Sequence, residues 1–182
     1  MSAFPSGVEL AGEDLVLREW TDADLPVLRT LMDDPDVAYW TPLVSPFDEA
    51  AARAYLTRSR GYRAEGRTIQ LAITRGGGEP LGEVLIMRSR HEGQDPGTLE
   101  IGYSVGAAHR GQGLASRAVR VVAAYAFAEL GAPSLVLELE SENAGSVGVA
   151  RSSGFRLLDV PLIEGTEKGR SFALQTWGRD RP

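Results

Sequence analysis

The amino-acid sequence predicts a single mixed α/β (α+β) domain, residues 1–182, in which helices flank a mostly antiparallel sheet of seven strands. Segments of alternating apolar and polar residues, typical of strands, come before and after segments with helical spacing. One strand, one helix and a further strand follow each other around a glycine-rich turn near residue 110. Such a βαβ unit joins two parallel strands by a right-handed crossover, so the sheet should be mixed.

The composition excludes several classes of protein. Its fractions, 43% hydrophobic and 24% charged, are those of an ordinary globular protein. The net charge of −6 argues against nucleic-acid binding, which needs a basic surface. The lack of cysteine excludes disulfides, thiolate metal sites and a cysteine nucleophile. The sequence shows neither a secretory signal nor an apolar run of membrane-spanning length, so we expect a cytoplasmic protein that does not contact membranes.

The first half of the chain predicts one strand, two helices and an aromatic, proline-rich loop between the helices. The strand, first helix, loop and second helix occupy residues 14–20, 21–32, 37–46 and 45–62, after a loose lead-in at 1–12. Thr21 begins the first helix, with Asp24 at the spacing of a capping box. Ser45, followed by Pro46 at the first helical position, begins the second helix.

The second half predicts six further strands and two helices. The strands occupy residues 67–74, 80–90, 97–105, 134–140, 155–160 and 170–178, and the helices occupy 112–130 and 145–152. The longer helix ends before Gly131, a residue type common just after helices. Its predicted core-facing stripe consists of Ala115, Ala118, Val119, Val122, Ala126 and Leu130.

The stretch HRGQGLAS, residues 109–116, leads into the longer helix and has the properties of an anion site. The first turn of a helix has unpaired N–H groups and a partial positive charge. Gly111 and Gly113 lack the Cβ atoms that would hold a diphosphate away, and Arg110 and His109 add positive charge. The alternative is that the glycines only make a tight strand-to-helix turn, because loose glycine patterns are weak signals.

Two other phosphate-binding motifs do not fit this stretch. A P-loop requires Gly-Lys-Ser/Thr after its gap, and no such string occurs. A dinucleotide-binding turn normally follows the first strand, with an acidic residue about 20 residues later at a strand end. Here the motif follows the fourth strand, and Glu129, near that offset, lies on a helix.

The residues RGQGLA match the Arg/Gln-x-x-Gly-x-Gly/Ala signature of the GNAT acetyltransferases at Arg110, Gly113 and Ala115. The stretches EIGYSVGAAHRGQGLASRAV and NAGSVGVARSSGFR resemble the Rim-type branch, the ribosomal-protein N-terminal acetyltransferases and their relatives. The order of predicted elements resembles the GNAT fold over essentially the whole chain. In that fold two parallel strands splay apart at the cofactor site.

The resemblance implies acetyl-coenzyme A as co-substrate and no metal. The diphosphate would rest on the amides of the turn, and the pantetheine arm would pair with the strand edge near Tyr103. The residues implied in coenzyme binding are Tyr103, Ser104, Val105, Arg110, Gly111, Gln112, Gly113, Leu114, Ala115, Ser116 and Asn143. His91 and His109 are far apart in the sequence and lack a compact acidic cluster, so they do not indicate a metal site either.

Acetyl transfer from a thioester needs a neutral amine, a stabilised oxyanion and, for the leaving thiolate, a proton. With no cysteine and no serine in a nucleophile-elbow pattern, direct attack by the amine in a ternary complex is expected. An α-amine has a pKa of ~7.7–8.0, against ~10.4 for the lysine side chain, so part of it is already neutral at pH 7 and a weak base is sufficient. A backbone N–H between Tyr103 and Val105 would stabilise the oxyanion, which can contribute ~2.7–4 kcal/mol.

Strand parity suggests two candidate bases. Glu100 and Glu138 lie on predicted parallel strands, each on the face opposite the apolar residues, so they could point into one cleft. Glu100 is preferred because Glu-Ile-Gly-Tyr recurs in the Rim-type pattern. The alternative is that both glutamates pair with arginines on a solvated sheet face.

Two family patterns suggest different residues as the proton donor for the leaving thiolate. Many GNAT enzymes carry a tyrosine seven positions after the motif's asparagine, but that position here is Ala150. The Rim-type pattern has a serine three positions after the asparagine, which is Ser146. Ser146 could equally just help to start the short helix.

The family uses the loop between its first two helices to wall the acceptor pocket, which implies a role for Tyr39 and Trp40 as substrate residues. Core packing is the simpler explanation for at least one aromatic residue of this region, which also includes Phe47. Three functions remain open: acetylation of a peptide or protein α-amine, acetylation of a small amine such as an amino acid, polyamine or antibiotic, and coenzyme binding without catalysis. The sequence leaves the oligomeric state open, a homodimer included.

Overall fold

The computed structural model describes residues 4–5, 7–89 and 95–182. Those residues form nine strands and five α-helices. The strands are β1 (Leu10–Gly12), β2 (Leu15–Glu19), β3 (Thr68–Thr74), β4 (Pro80–Arg88), β5 (Leu99–Val105), β6 (Ser134–Glu140), β7 (Arg156–Leu157), β8 (Ile163–Glu167) and β9 (Arg170–Asp180). The helices are α1 (Leu25–Met32), α2 (Pro35–Trp40), α3 (Glu49–Ala64), α4 (Leu114–Ala128) and α5 (Ala144–Ser152).

The strands form one mixed sheet, ordered β1-β2-β3-β4-β5-β6-β9-β7, with β8 also paired to β9. The β5–β6 pair is parallel, and the other pairs are antiparallel. Parallel pairing holds only where Leu99 faces Leu135 and Glu100 faces Val136. Beyond these residues β5 stays paired with β4 as far as Val105, while β6 diverges from it. The predicted mixed sheet and its splayed parallel strands are therefore confirmed.

Two apolar cores hold the helices against opposite faces of the sheet. The larger core packs α4 and α5 on one face and includes Leu17, Ile69 and Val122, which are fully buried. The smaller core packs α1, α2 and α3 around Leu28 and Phe47. Full burial of each such side chain contributes roughly 1.5–3 kcal/mol, so the two cores fix the helices that surround the site.

Several predicted elements are found close to their expected positions. The capping box of Thr21 and Asp24 is present, and it begins a single 3-10 turn that continues into α1. Helix α4 starts two residues later than predicted because Gly113, its N-cap, has a φ of +70°. Within the predicted stripe of α4, Ala115 and Leu130 are only partly buried, and the other four residues are buried.

The predicted loop at 37–46 is wrong for residues 37–40, which are helical, and correct for residues 41–46, which form no helix or strand. Its first part is helix α2, which Asp34 caps by accepting hydrogen bonds from the N–H groups of Asp36 and Val37, with Pro35 as the first helical residue. Helix α3 starts at Glu49 rather than at Ser45–Pro46. Its cap is Asp48, whose carboxylate accepts a hydrogen bond from the N–H of Ala51, as shown by the 2.8 Å distance.

The predicted count of seven strands was too low. Strand β1 lies within the expected lead-in, and the predicted strand 155–160 is reduced to the two residues of β7. Strand β8 was missed because its residues are mostly exposed and polar, although Lys168 and Gly169, both at positive φ, form a hairpin turn after it. Residues 90–94, which include His91 and the end of a predicted strand, lie outside the described residues.

Among the residues that the structure describes, no helix has the length and hydrophobicity that crossing a bilayer demands.

Candidate active site

A cleft of about 610 Å³ opens where β5 and β6 separate. The end of β5 and the first turn of α4 form one side of the cleft, and α5 and α2 complete it. All the predicted coenzyme residues except Gln112 line the cleft. The Gln112 side chain instead accepts a hydrogen bond from Arg75 at 2.8 Å. The structure therefore brings the other ten predicted coenzyme residues together around one cleft.

The turn before α4 has the backbone geometry that glycine allows. Gly111 and Gly113 have φ values of +74° and +70°, in the left-handed region. That conformation costs residues other than glycine roughly 1–2 kcal/mol of conformational free energy. A Cβ atom added at either position would meet no atom within 4 Å, and both residues line the cleft. Backbone conformation alone accounts for the two glycines, and the open space beside them leaves room for a ligand.

The first turn of α4 leaves N–H donors free to meet an anion. Gly113 is the N-cap, and no side chain caps the helix there. The N–H of Arg117 bonds the carbonyl of Gly113, so the N–H groups of Leu114, Ala115 and Ser116 precede the first intrahelical bond. These donors lie at the positive end of the helix dipole, which favours a negatively charged group.

The side chain of Arg110 has a different position from the one expected. Its guanidinium donates to Asp34 Oδ1 and Asp36 Oδ2, both at 2.7 Å, and its Nε donates to the carbonyl oxygen of Val105 at 3.1 Å. Burial raises the pKa of the Asp34 carboxyl, but the hydrogen bonds from Arg110 and from the N–H of Val37 together lower it by more. The net pKa therefore lies below its ordinary value. The Arg110 charge is therefore shared with two carboxylates of α2.

Two hydroxyl-bearing residues meet at the cleft, Tyr103 at the end of β5 and Ser146 in α5. Asn143 caps α5 by accepting a hydrogen bond from the N–H of Ser146 at 3.0 Å, and both residues line the cleft. The hydroxyl of Tyr103 donates to the carbonyl oxygen of Ser146 at 3.3 Å. Burial raises the pKa of Tyr103 to about 12, so its hydroxyl stays protonated at neutral pH. The sequence indicated Tyr103 only as part of the coenzyme strand and gave no signal for its hydroxyl.

The two candidate bases share a sheet face but do not line the cleft. Leu99 and Ile101 face the larger core, and so do Leu135, Leu137 and Leu139, which places Glu100 and Glu138 on the opposite face. Both glutamates are half-buried and both interact with other groups. The two strands therefore meet the parity prediction, but the expectation that both carboxylates point into the cleft is not met, because neither residue lines it.

A third carboxylate, Glu83 on β4, was missed from the sequence. It is 3% exposed, faces the same side of the sheet, and lies opposite Ser104 in the strand register. It accepts hydrogen bonds from Tyr55 Oη at 2.6 Å and Gln70 Nε2 at 2.7 Å. Burial raises the pKa of Glu83 to about 7, despite these bonds, which lower it. A single glutamate inside the apolar run PLGEVLIM was the signal available.

Two further cavities, of about 240 and 830 Å³, lie beyond α2. Both are lined by Tyr39, Trp40, Glu140, Arg170 and Phe172, and Trp40 also lines the cleft. The structure therefore brings the predicted acceptor residues beside hairpin β8–β9. Neither Tyr39 nor Trp40 is buried, so core packing does not explain them, whereas Phe47 belongs to the core.

A model of the acetyltransferase (GNAT) domain matches residues 14–156, most of the chain. The chain belongs to the GNAT acetyltransferase family. This GNAT is 28% identical over 145 residues to the uncharacterized N-acetyltransferase p20 of Bacillus licheniformis, a match that covers 79% of this chain and 80% of the relative.

Solved structures share the fold of this GNAT over nearly its whole length. A GNAT acetyltransferase from Bacillus anthracis has a TM-score of 0.80 at 18% identity and covers 96% of this chain and 99% of its own. RimJ of Mycobacterium smegmatis, in complex with CoA-disulfide, has a TM-score of 0.78 at 20% identity and covers 96% and 86%. Spermidine N-acetyltransferase of Vibrio cholerae, in complex with CoA and spermine, has a TM-score of 0.75 at 15% identity and covers 93% and 97%.

The residues present in this GNAT fit acetyl-coenzyme A. The helix start supplies N–H donors for a diphosphate, and a Cβ atom at Gly111 or Gly113 would occupy the open space beside that turn. The divergence of β5 from β6 leaves the strand edge beyond Glu100 unpaired by β6, which suits the amides of a pantetheine arm. In the described part of the chain, no group of three or more His, Asp or Glu residues is arranged to hold a metal ion.

Proposed function

We propose that this GNAT transfers the acetyl group of acetyl-coenzyme A to a primary amine, the N-terminal α-amine of a peptide or protein, by direct attack in a ternary complex. One observation carries the proposal. The cleft that holds the glycine turn meets the cavities beside hairpin β8–β9 at Trp40, which lines all three. A thioester bound in the cleft and an amine bound in the cavities would meet at that residue.

The coenzyme is held mainly by backbone groups in this proposal. N–H groups from Arg110 to Ser116 bind the diphosphate, and the free edge of β5 from Tyr103 to Val105 pairs with the pantetheine arm. The side-chain amide of Asn143 has its oxygen on the N–H of Ser146, so its NH₂ group is the donor available to the pantetheine. Acetyl-coenzyme A supplies the activated acetyl group.

The amine must lose a proton and the departing thiol must gain one. Glu100, which lines neither the cleft nor the two cavities, receives the amine proton through water, with Glu138 on the neighbouring strand as the alternative base. Ser146 lies in the first turn of α5 at the cleft and delivers a proton to the sulfur. Tyr103, with its protonated hydroxyl 3.3 Å from the Ser146 carbonyl, is a second donor at the same place. A backbone N–H of Tyr103–Val105 stabilises the negative charge on the acetyl oxygen.

A small cationic amine is the second candidate acceptor. The spermidine N-acetyltransferase that shares this fold was solved with spermine bound. The larger cavity here carries Glu142 and Glu164 on its exposed rim, and carboxylates would favour a polyamine.

Release of free thiol from acetyl-coenzyme A tests both candidates on one panel of acceptors. The panel contains short peptides with free N-termini, the same peptides with blocked N-termini, and free amines that include spermidine. We expect turnover of the free peptides and none of the blocked ones. Turnover of free amines alone supports the second candidate. Coenzyme binding without turnover of any member contradicts an enzymatic role.

A further inference from the structure

Helix α2 forms a partition between the coenzyme cleft and the acceptor cavities. Asp36, Val37 and Trp40 line the cleft, whereas Tyr39 and Trp40 line the cavities. The helix has only six residues, too short to be stable alone in water. Its position is therefore set by its contacts with the rest of the protein, of which burial of Val37 in the smaller core is one.

The beginning of α2 is tied to the glycine turn through Arg110. The guanidinium bridges Asp34, which caps α2, and Asp36, in its first turn, with both N···O distances at 2.7 Å. The same side chain holds the carbonyl oxygen of Val105 at 3.1 Å. One residue of the turn thus contacts both α2 and the last residue of β5.

The end of α2 is tied to hairpin β8–β9. Lys168 Nζ donates to the carbonyl oxygens of Ala38 at 2.7 Å and Thr41 at 2.9 Å. Arg170 donates to the carbonyl oxygen of Tyr39 at 3.0 Å and lies 4.3 Å from the centre of the Tyr39 ring. Carbonyl groups at a helix C-terminus attract cations, so these contacts suit that end. Both ends of α2, and with them Trp40, are therefore held, one by the glycine turn and the other by hairpin β8–β9.

We infer that Arg110 and Asp36 are positioning residues for the acceptor, linking the coenzyme turn to α2. The inference rests on the proposed function and adds to it a role for the first residue of the family signature. The Arg110 backbone belongs to the diphosphate turn, but its side chain is engaged by Asp34 and Asp36. The two carboxylates neutralise the guanidinium, so the diphosphate is recognised by N–H groups rather than by this charge.

The test compares Arg110→Ala, Asp36→Ala and the double variant with wild type. We expect each single variant to raise the acceptor KM by about threefold to tenfold, within the range of one or two partly exposed ion pairs. In each variant the rise in acceptor KM should exceed any rise in the coenzyme Kd, measured by calorimetry, and any fall in kcat. The double variant should be no worse than Arg110→Ala, because that change already removes the Arg110–Asp36 pair.

Two controls accompany this comparison. Asp36→Asn keeps the shape of the side chain and must reproduce Asp36→Ala if charge pairing is the cause. Arg53→Ala removes an exposed arginine paired with Glu49 on α3, outside the cleft and both cavities, and should change neither KM nor Kd. A tenfold or larger rise in coenzyme Kd for Arg110→Ala, without a rise in acceptor KM, would overturn the inference. The inference would also be overturned if the rise in acceptor KM in the double variant equalled the combined rises of the two single variants.

A second readout does not depend on turnover. Because Trp40 lines the cleft, coenzyme A should change its fluorescence, and the signal is assigned by the difference from Trp40→Phe. In Asp36→Ala the change should be clearly smaller at saturating coenzyme. Equal changes in wild type and Asp36→Ala, or no change in wild type, contradict the inference. If no amine is acetylated, the proposed function fails, whereas this measurement still decides the role of Asp36.

Discussion

The hydroxyl of Tyr103 donates a hydrogen bond to the carbonyl oxygen of Ser146 over 3.3 Å, which joins β5 to the first turn of α5. The contact brings Tyr103 and Ser146 together, whereas Ala150, at the position of the family's usual tyrosine, is fully buried in the larger core. Both residues that make it line the cleft. We therefore propose the hydroxyl groups of Tyr103 and Ser146 as the candidate proton donors for the leaving thiolate.

Ser146→Ala should lower kcat by ~10²-fold, the low end for loss of one proton-transfer group, with little recovery as pH rises. The measurement is kcat against pH under saturating acetyl-coenzyme A and acceptor. Ser153→Ala is the matched control, because Ser153 caps the end of the same helix, bonds the carbonyl oxygen of Val149 and does not line the cleft. Full activity in Ser146→Ala would mean that the residue serves only the helix start, and Tyr103→Phe would then test the remaining hydroxyl.

Glu100→Gln should lower kcat most at low pH. A rise in pH should restore part of the loss, because the acceptor amine then loses its proton without a base. The pH profile of kcat for wild type and variant checks this, and Glu138→Gln provides the comparison on the neighbouring strand. If Glu100→Gln keeps full activity at every pH, the base is Glu138 or water. A parallel-line initial-velocity pattern would contradict direct attack by the amine.

Tyr39→Ala should raise the acceptor KM and leave the coenzyme Kd unchanged. Tyr39 lines both acceptor cavities but not the cleft, and its ring packs edge-on against Trp40 at 4.6 Å between centroids. At 52% exposure its removal should cost little stability. Calorimetry of coenzyme binding and steady-state kinetics separate the two effects. A matching loss of coenzyme affinity would show that the ring acts on the cleft instead.

Glu83→Gln should change how stability depends on pH. The pKa of Glu83 rises from an ordinary 4.5 to about 7 on burial, so between these values the folded protein binds more protons than the unfolded chain. The wild type therefore loses stability as pH rises through this range, by up to about 3 kcal/mol, whereas the variant lacks this loss. Denaturant unfolding at pH 5 and pH 8 measures the difference, with the exposed Glu79→Gln as control. Parallel pH dependence in wild type and Glu83→Gln would contradict the raised pKa.

The parts of the fold that depend on residues close together in the chain could be predicted from the sequence. Helix α4 follows from its apolar stripe and from Gly113, whose positive φ marks its start. The splayed strands followed from the family resemblance around that turn. Spacing and capping rules apply directly to the helix, whereas the splay of the strands was expected from the resemblance alone.

The features that were missed depend on contacts between distant segments. Helix α2 is held by Arg110 and Lys168, which lie far along the chain, so the short stretch from Pro35 to Trp40 resembled a loop. The direction of the Arg110 side chain depends on the same carboxylates. The raised pKa of Glu83 arises from burial beneath α3, which no local pattern of β4 encodes.

The binding of acetyl-coenzyme A to Gly113→Ala and Gly131→Ala tests the central claim most directly. Gly113 and Gly131 have φ values of +70° and +67°, and a Cβ at either meets no atom within 4 Å, but only Gly113 lines the cleft. Both variants should lose similar stability, roughly 1–2 kcal/mol. With ligand at 100 times the wild-type Kd, wild type and Gly131→Ala should gain ~2.7 kcal/mol of stability, and Gly113→Ala should gain much less. Equal gains in the two variants, or no gain in wild type, would contradict a coenzyme site at this turn.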